Sequence, residues 1–212
     1  VSNSQLALAA AAWDVRGVRK VLDEHGTAWP YLLRLVRPYH ALSDDDAKRE
    51  IKRAIYAAIF GMSKRGVGYL LRERLSTGAA TPFLTDSVVA DLFSARDRAL
   101  AAVESRGGAE DCFGNWYCAR PADPTHRAHK VRSALAATMQ AAELQLLLPV
   151  VEDARREATN VRPLYRIVGW MHDGFVVKPR HSPDQVAERL RRLVDAEARR
   201  LGVPATLECK SL

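Results

Sequence analysis

Two apolar, β-type runs, Leu164 to Met171 and Phe175 to Val177, flank His172-Asp173-Gly174, and this junction constrains the fold more than any other feature. An Asp-Gly step between two such runs signals a tight antiparallel hairpin. A chain carrying it must bury a small sheet, although nearly everything around it reads as helix. The expected class is therefore α+β, a small antiparallel sheet with helices.

The helical readings follow from local punctuation. Residues 4 to 24 hold a run of alanines and no proline, which predicts one helix. Gly26, Pro30 and Pro38 break the following stretch into shorter pieces. Ser43 followed by Asp44, Asp45 and Asp46 is a helix start, with carboxylates where the macrodipole favours them, and that helix should run to about Gly61. Residues 63 to 76 and 84 to 105 are further helices, divided by Gly78 and Pro82. Gly107-Gly108 marks a joint, Phe113 to Cys118 a short strand, and 126 to 158 a helix with a kink at Pro149. A last helix opens at Ser182 or Pro183 and ends near Leu201, with 203 to 209 returning as a strand.

A net charge of +7, dispersed along the 212 residues, points to a polyanionic partner such as nucleic acid. The apolar run Leu6 to Trp13 is too short to span a bilayer, so no membrane partner is expected. Cys112, Cys118 and Cys209 show no CxxC spacing and cannot all pair, which reads as reduced thiols of a cytoplasmic protein. His126 and His129 give no recognised zinc spacing.

Three constellations carry chemistry. Lys48, Lys52, Tyr56 and Phe60 recur every fourth residue and share one helix face, opposite the stripe Ile51, Ile55, Ala58 and Ile59. Two cations followed by two aromatics can grip a triphosphate and then stack on a base. The same stripe also fits an amphipathic helix with solvated lysines. Asp173, at the tip of the hairpin, is placed as a magnesium ligand would be, and Asp-Gly is equally a favoured turn in its own right. Arg132 and Gln140, eight residues apart on the long helix, mean little alone.

Together, and in this order, these segments resemble family A (Pol I-like) DNA polymerases. Lys48, Lys52, Tyr56, Phe60 and Gly61-Met62-Ser63 resemble the O-helix motif, with lysine for its arginine and phenylalanine for its second tyrosine. Met171-His172-Asp173 resembles motif C, where Gly174 replaces the usual glutamate. Arg132 through Met139 and Gln140 resembles the segment whose arginine and glutamine contact the primer–template minor groove, with Ala136 where asparagine is usual. The separations between these elements are also close to the family's. Placed without gaps on motif A, Val1, Ser2, Gln5, Leu6 and Ala10 follow its catalytic aspartate, which would fall immediately before Val1.

The resemblance implies a palm at 1–14 and 109–212 and helical fingers at 15–108, with thumb and first palm strand in an upstream segment. It implies template-directed DNA synthesis with two magnesium ions, in which Asp173 and the Val1 carbonyl hold metal. Lys52 and Asp173 would be catalytic, and Lys48, Lys52, Tyr56, Phe60 and Gln5 would bind the dNTP, Gln5 beside the sugar 2′-position. Arg132, Gln140 and His172 would bind the DNA primer–template. His25 and His40 are the candidates for a phosphate-contacting histidine. Cut after its first catalytic aspartate, the chain alone is expected to be inactive. Gly174, Ala136 and Phe60 also fit a non-catalytic nucleic-acid-binding polymerase remnant. A third reading, a basic helical DNA-binding module, would lack a hairpin packed beside the 126 to 158 helix.

Overall fold

The computed structural model describes residues 4–120, 124–171 and 174–209. The chain begins with α1 (Ser4–Ala12) and α2 (Arg16–His25), where a single helix was expected. Asp14 takes φ +53, and the amide of Val15 reaches back to the Ala10 carbonyl at 3.0 Å. Aspartate tolerates this left-handed conformation better than most residues, so the chain turns without a glycine to announce it.

The third helix, α3 (Trp29–Val36), leads through a short 3-10 turn to α4 (Asp44–Ile59). At its start the Ser43 hydroxyl accepts from the Asp46 amide at 3.1 Å, and three aspartates fill the first turn. Ala47, Ile51, Ala54, Ile55, Ala58 and Ile59 bury its inner stripe. It stops at Phe60, and Gly61 follows at φ +94, a conformation that favours glycine.

Serine caps then start α5 (Lys64–Arg74) and α6 (Thr77–Thr85), and Asp86 caps α7 (Ser87–Arg106) with bonds of 3.0 and 3.2 Å to the Val88 and Val89 amides. Gly78 and Pro82 were expected to divide helices, but both lie inside α6. Proline removes one helical hydrogen bond there, and burial of Ala79, Ala80 and Phe83 outweighs that loss.

After the left-handed Gly107, β1 (Gly108–Glu110) pairs antiparallel with β2 (Trp116–Cys118). The strand expected from Phe113 is shorter than that, because the Asp111 carboxylate gathers the Phe113 and Asn115 amides, both at 2.9 Å, into a turn. The Tyr117 hydroxyl also donates to it at 3.0 Å.

The 32-residue α8 (Arg127–Ala158), about 48 Å long at helical rise, is the spine of the molecule. It continues through Pro149. By length and composition alone it could cross a membrane. Many of its apolar residues serve three clusters, while Leu144 and Leu148 are exposed. Val131, Ala134 and Leu135 pack under β1 and β2, Met139 and Leu146 join α1 to α7, and Leu147 and Val150 lie beneath the second sheet.

That sheet is the expected hairpin, β3 (Tyr165–Met171) and β4 (Gly174–Pro179), with Met171 opposite Gly174 and an irregularity between Ile167 and Gly169. His172 and Asp173 stand between these strands in the chain and lie outside the described residues. The last helix, α9 (Pro183–Leu201), packs Val186, Leu190 and Val194 against α8 and the hairpin. Residues 203–209 do not form a strand, apart from one bridge at Thr206.

A buried polar network ties α8, β3 and α9 together. Tyr165 donates to Asp153 at 2.8 Å, and Arg189 donates to Asp153 at 2.7 Å and Glu157 at 3.1 Å. Glu157 also accepts from the Leu164 amide at 2.8 Å. Burial, followed by the hydrogen bond to Asp153, pushes the Tyr165 hydroxyl well above its ordinary range.

Candidate functional site

Lys48, Lys52, Tyr56 and Phe60 line one half-buried face of α4, adjoining the isoleucine stripe rather than opposite it as expected. The face is not freely solvated along its length. Trp29, at the start of α3, lies under it with 3% of its surface exposed. The Lys52 ammonium sits 5.1 Å from the Trp29 ring centroid, and the Tyr56 ring meets the same indole edge-to-face at 6.0 Å and 82°. Phe60 packs its partly buried ring against the main core. Lys48 forms no ion pair with any described residue.

Arg132, on the second turn of α8, is exposed and pairs with no carboxylate among the described residues. Its aliphatic stem lies against Gly61. A Cβ on that glycine would come within 2.6 Å of Arg132 Cγ and 2.7 Å of Cδ. The end of α4 and the start of α8 therefore meet directly, and two segments distant in sequence become one surface. Gln140 is exposed two turns further along α8.

Three supporting residues escaped the sequence reading. Arg96 sits on the buried stripe of α7 with Val89, Leu92 and Phe93, and is 4% exposed. It donates to the Met62 carbonyl, fixing the turn after α4, and to Asp97 at 3.1 Å, while lying 4.7 Å over the Phe93 ring. A charge at a core position of an amphipathic helix was the available signal. Glu143, buried on α8, accepts from Ser4 and Gln5. Gln5 is thus buried against α8 rather than open, and its carbonyl oxygen finds no partner among the described residues. Trp29 is the third, hidden in sequence by its distance from α4.

His40 is partly buried and neither ring nitrogen bonds a described residue, whereas His25 is exposed at the end of α2. Among the described residues no group of three or more His, Cys, Asp or Glu gathers as a metal cluster. Val1, His172 and Asp173 lie outside the described residues. Cys112, Cys118 and Cys209 are exposed free thiols.

This arrangement has a known counterpart among solved folds. It is similar to the POL domain of Pol1 from M. smegmatis, solved in complex with DNA primer-template and dNTP, with a TM-score of 0.66 at 16% identity over 96% of this chain. The chain spans 36% of that neighbour's length, and at this identity the likeness is one of fold. No protein-family model matches the chain, and no curated protein matches it.

Proposed function

We propose that this chain is the palm-and-fingers portion of a template-directed DNA polymerase of the Pol I type, with fingers at 15–108 and palm on either side. The observation that carries this reading is the contact of Arg132 with Gly61. It joins the Lys48, Lys52, Tyr56 and Phe60 face to the start of α8, in a fold similar to that of a polymerase domain. The hairpin packed beside α8 speaks against an unrelated helical DNA-binding module.

In this reading Lys48 and Lys52 neutralise the triphosphate of an incoming dNTP, and Lys52 donates a proton toward the leaving pyrophosphate. Tyr56 stacks near the nascent base pair, and Phe60 sits by the template base. Arg132, Gln140 and His172 hold the primer–template, and Gln5, buried against Glu143, would back the sugar site rather than line it. Asp173 and the Val1 carbonyl would hold magnesium, whose two ions stabilise the attacking and leaving oxygens, with the other carboxylate supplied from an upstream segment. The protein works in the reducing cytoplasm, its three thiols free.

The test is primer extension by the natural protein that contains this chain. Asp173→Asn should abolish extension and leave primer–template binding nearly unchanged; extension at the wild-type rate would overturn the assignment. A second reading, a nucleic-acid-binding remnant without chemistry, is favoured by Gly174, which leaves one carboxylate on this turn. Magnesium-dependent dNTP binding separates the two, since only the polymerase requires it.

A further inference from the structure

Trp29 is an unusual choice for a core residue. Its indole is buried to 3% exposure, yet its Nε1–H has no partner among the described residues. A buried donor without an acceptor is costly, and phenylalanine would fill much of the same space without that cost. What the indole offers beyond phenylalanine is the strongest cation-attracting ring face among the side chains. That face is in use, because the Lys52 ammonium lies 5.1 Å from its centroid. Tyr56, one helical turn further along α4, meets the same ring at 6.0 Å and 82°. One side chain from α3 thus touches both a cation and an aromatic of the α4 face.

We infer that Trp29 is a positioning residue for nucleotide binding, a platform that holds the Lys52 ammonium and the Tyr56 ring in register before the nucleotide arrives. The inference rests on the polymerase reading of the α4 face. Lysine carries four rotatable bonds, and a cation held in place loses less freedom when it meets a triphosphate. The ring attracts the ammonium through its quadrupole, without the full negative charge that a carboxylate would bring. Edge-to-face contact with Tyr56 fixes the neighbouring ring by the same side chain.

The test compares the natural protein with Trp29→Phe, which keeps a ring face, and Trp29→Leu, which keeps only apolar bulk. Three quantities are read: the thermal midpoint, KM for dNTP against kcat in primer extension, and the acetylation rate of Lys52 by an N-hydroxysuccinimide ester, with Lys48 as internal reference. Both variants should remain folded, with Trp29→Phe losing less thermal stability than Trp29→Leu because it sheds the unpaired donor and keeps more of the bulk. Trp29→Leu should raise KM for dNTP about tenfold, with a smaller fall in kcat, while Trp29→Phe stays within about threefold of wild type. Acetylation of Lys52 relative to Lys48 should rise in Trp29→Leu and not in Trp29→Phe. Equal Lys52 acetylation in all three proteins overturns the inference, as does a KM for dNTP that is unchanged in Trp29→Leu. If no protein extends primers but the acetylation pattern holds, the polymerase reading fails and the platform stands.

Discussion

Replacing Gly61 with alanine perturbs the junction between α4 and α8 at its narrowest point. Gly61 has φ +94, and a side chain in the left-handed region costs about 1–2 kcal/mol in backbone strain alone. The new Cβ would also fall 2.6 and 2.7 Å from Arg132 Cγ and Cδ, and 3.2 Å from its Cβ. The outer stem of an exposed arginine can swing away, so the clash adds less to folding than its distances suggest. A total of about 2–3 kcal/mol is expected, roughly 4–12 °C in the melting midpoint of a unit this size. Gly26→Ala is the matched control, because Gly26 has φ +66 and nothing stands within 4 Å of its Cβ position. It should cost only the strain, about 1 kcal/mol. The two variants also separate in binding. If Arg132 holds the primer–template as proposed, Gly61→Ala, which displaces it, should weaken that binding as Arg132→Ala should, whereas Gly26→Ala should leave it unchanged. Melting and fluorescence-anisotropy titrations of the natural protein check both. If Gly61→Ala costs no more than Gly26→Ala and binds primer–template normally, the junction does not position Arg132.

Two other predictions concern the frame around the site. Removing the Arg189 side chain leaves Asp153 and Glu157, both buried, without their shared cation. Arg189→Ala should cost about 2–3 kcal/mol, less than a fully buried pair because the arginine is partly exposed, while Arg191→Ala at its exposed pair with Glu188 should cost under about 0.5 kcal/mol. Urea unfolding measures both. The β1–β2 turn should be acid-sensitive. Burial works to raise the Asp111 carboxyl, but hydrogen bonds from Asn115, Phe113 and Tyr117 prevail and hold it at about 2, below its ordinary 3.8. The stabilisation is therefore complete above the ordinary value and disappears as pH falls toward about 2. Amide shifts of Phe113 and Asn115, followed by NMR from neutral pH downward, should move through that window and be insensitive to it in Asp111→Asn.

What the sequence revealed depended on how local the signal was. The start of α4 was readable because Ser43 and three aspartates sit next to the helix they cap. The hairpin was readable because a period of two and an Asp-Gly step lie within a dozen residues. The break between α1 and α2 was not, since Asp14 adopts its left-handed turn without glycine or proline nearby. The helix over Gly78 and Pro82 was missed because two local breakers are overruled by the burial of Phe83 and its neighbours. At the site, the α4 face followed from spacing and Arg132 only from the family resemblance, and their meeting at Gly61 is a tertiary fact. Trp29, Arg96 and Glu143 act across distances that spacing does not encode, and only a charge on an apolar stripe hinted at the last two.

The central claim is that the α4 face receives a nucleotide chosen by a template. A photoreactive dNTP, bound with primer–template and magnesium to the natural protein and mapped by peptide mass spectrometry, tests it most directly. The account predicts labelling within 48–60 that is strong for the nucleotide complementary to the templating base and weak for the others. Labelling elsewhere, or labelling of α4 that is indifferent to the template base, would contradict it.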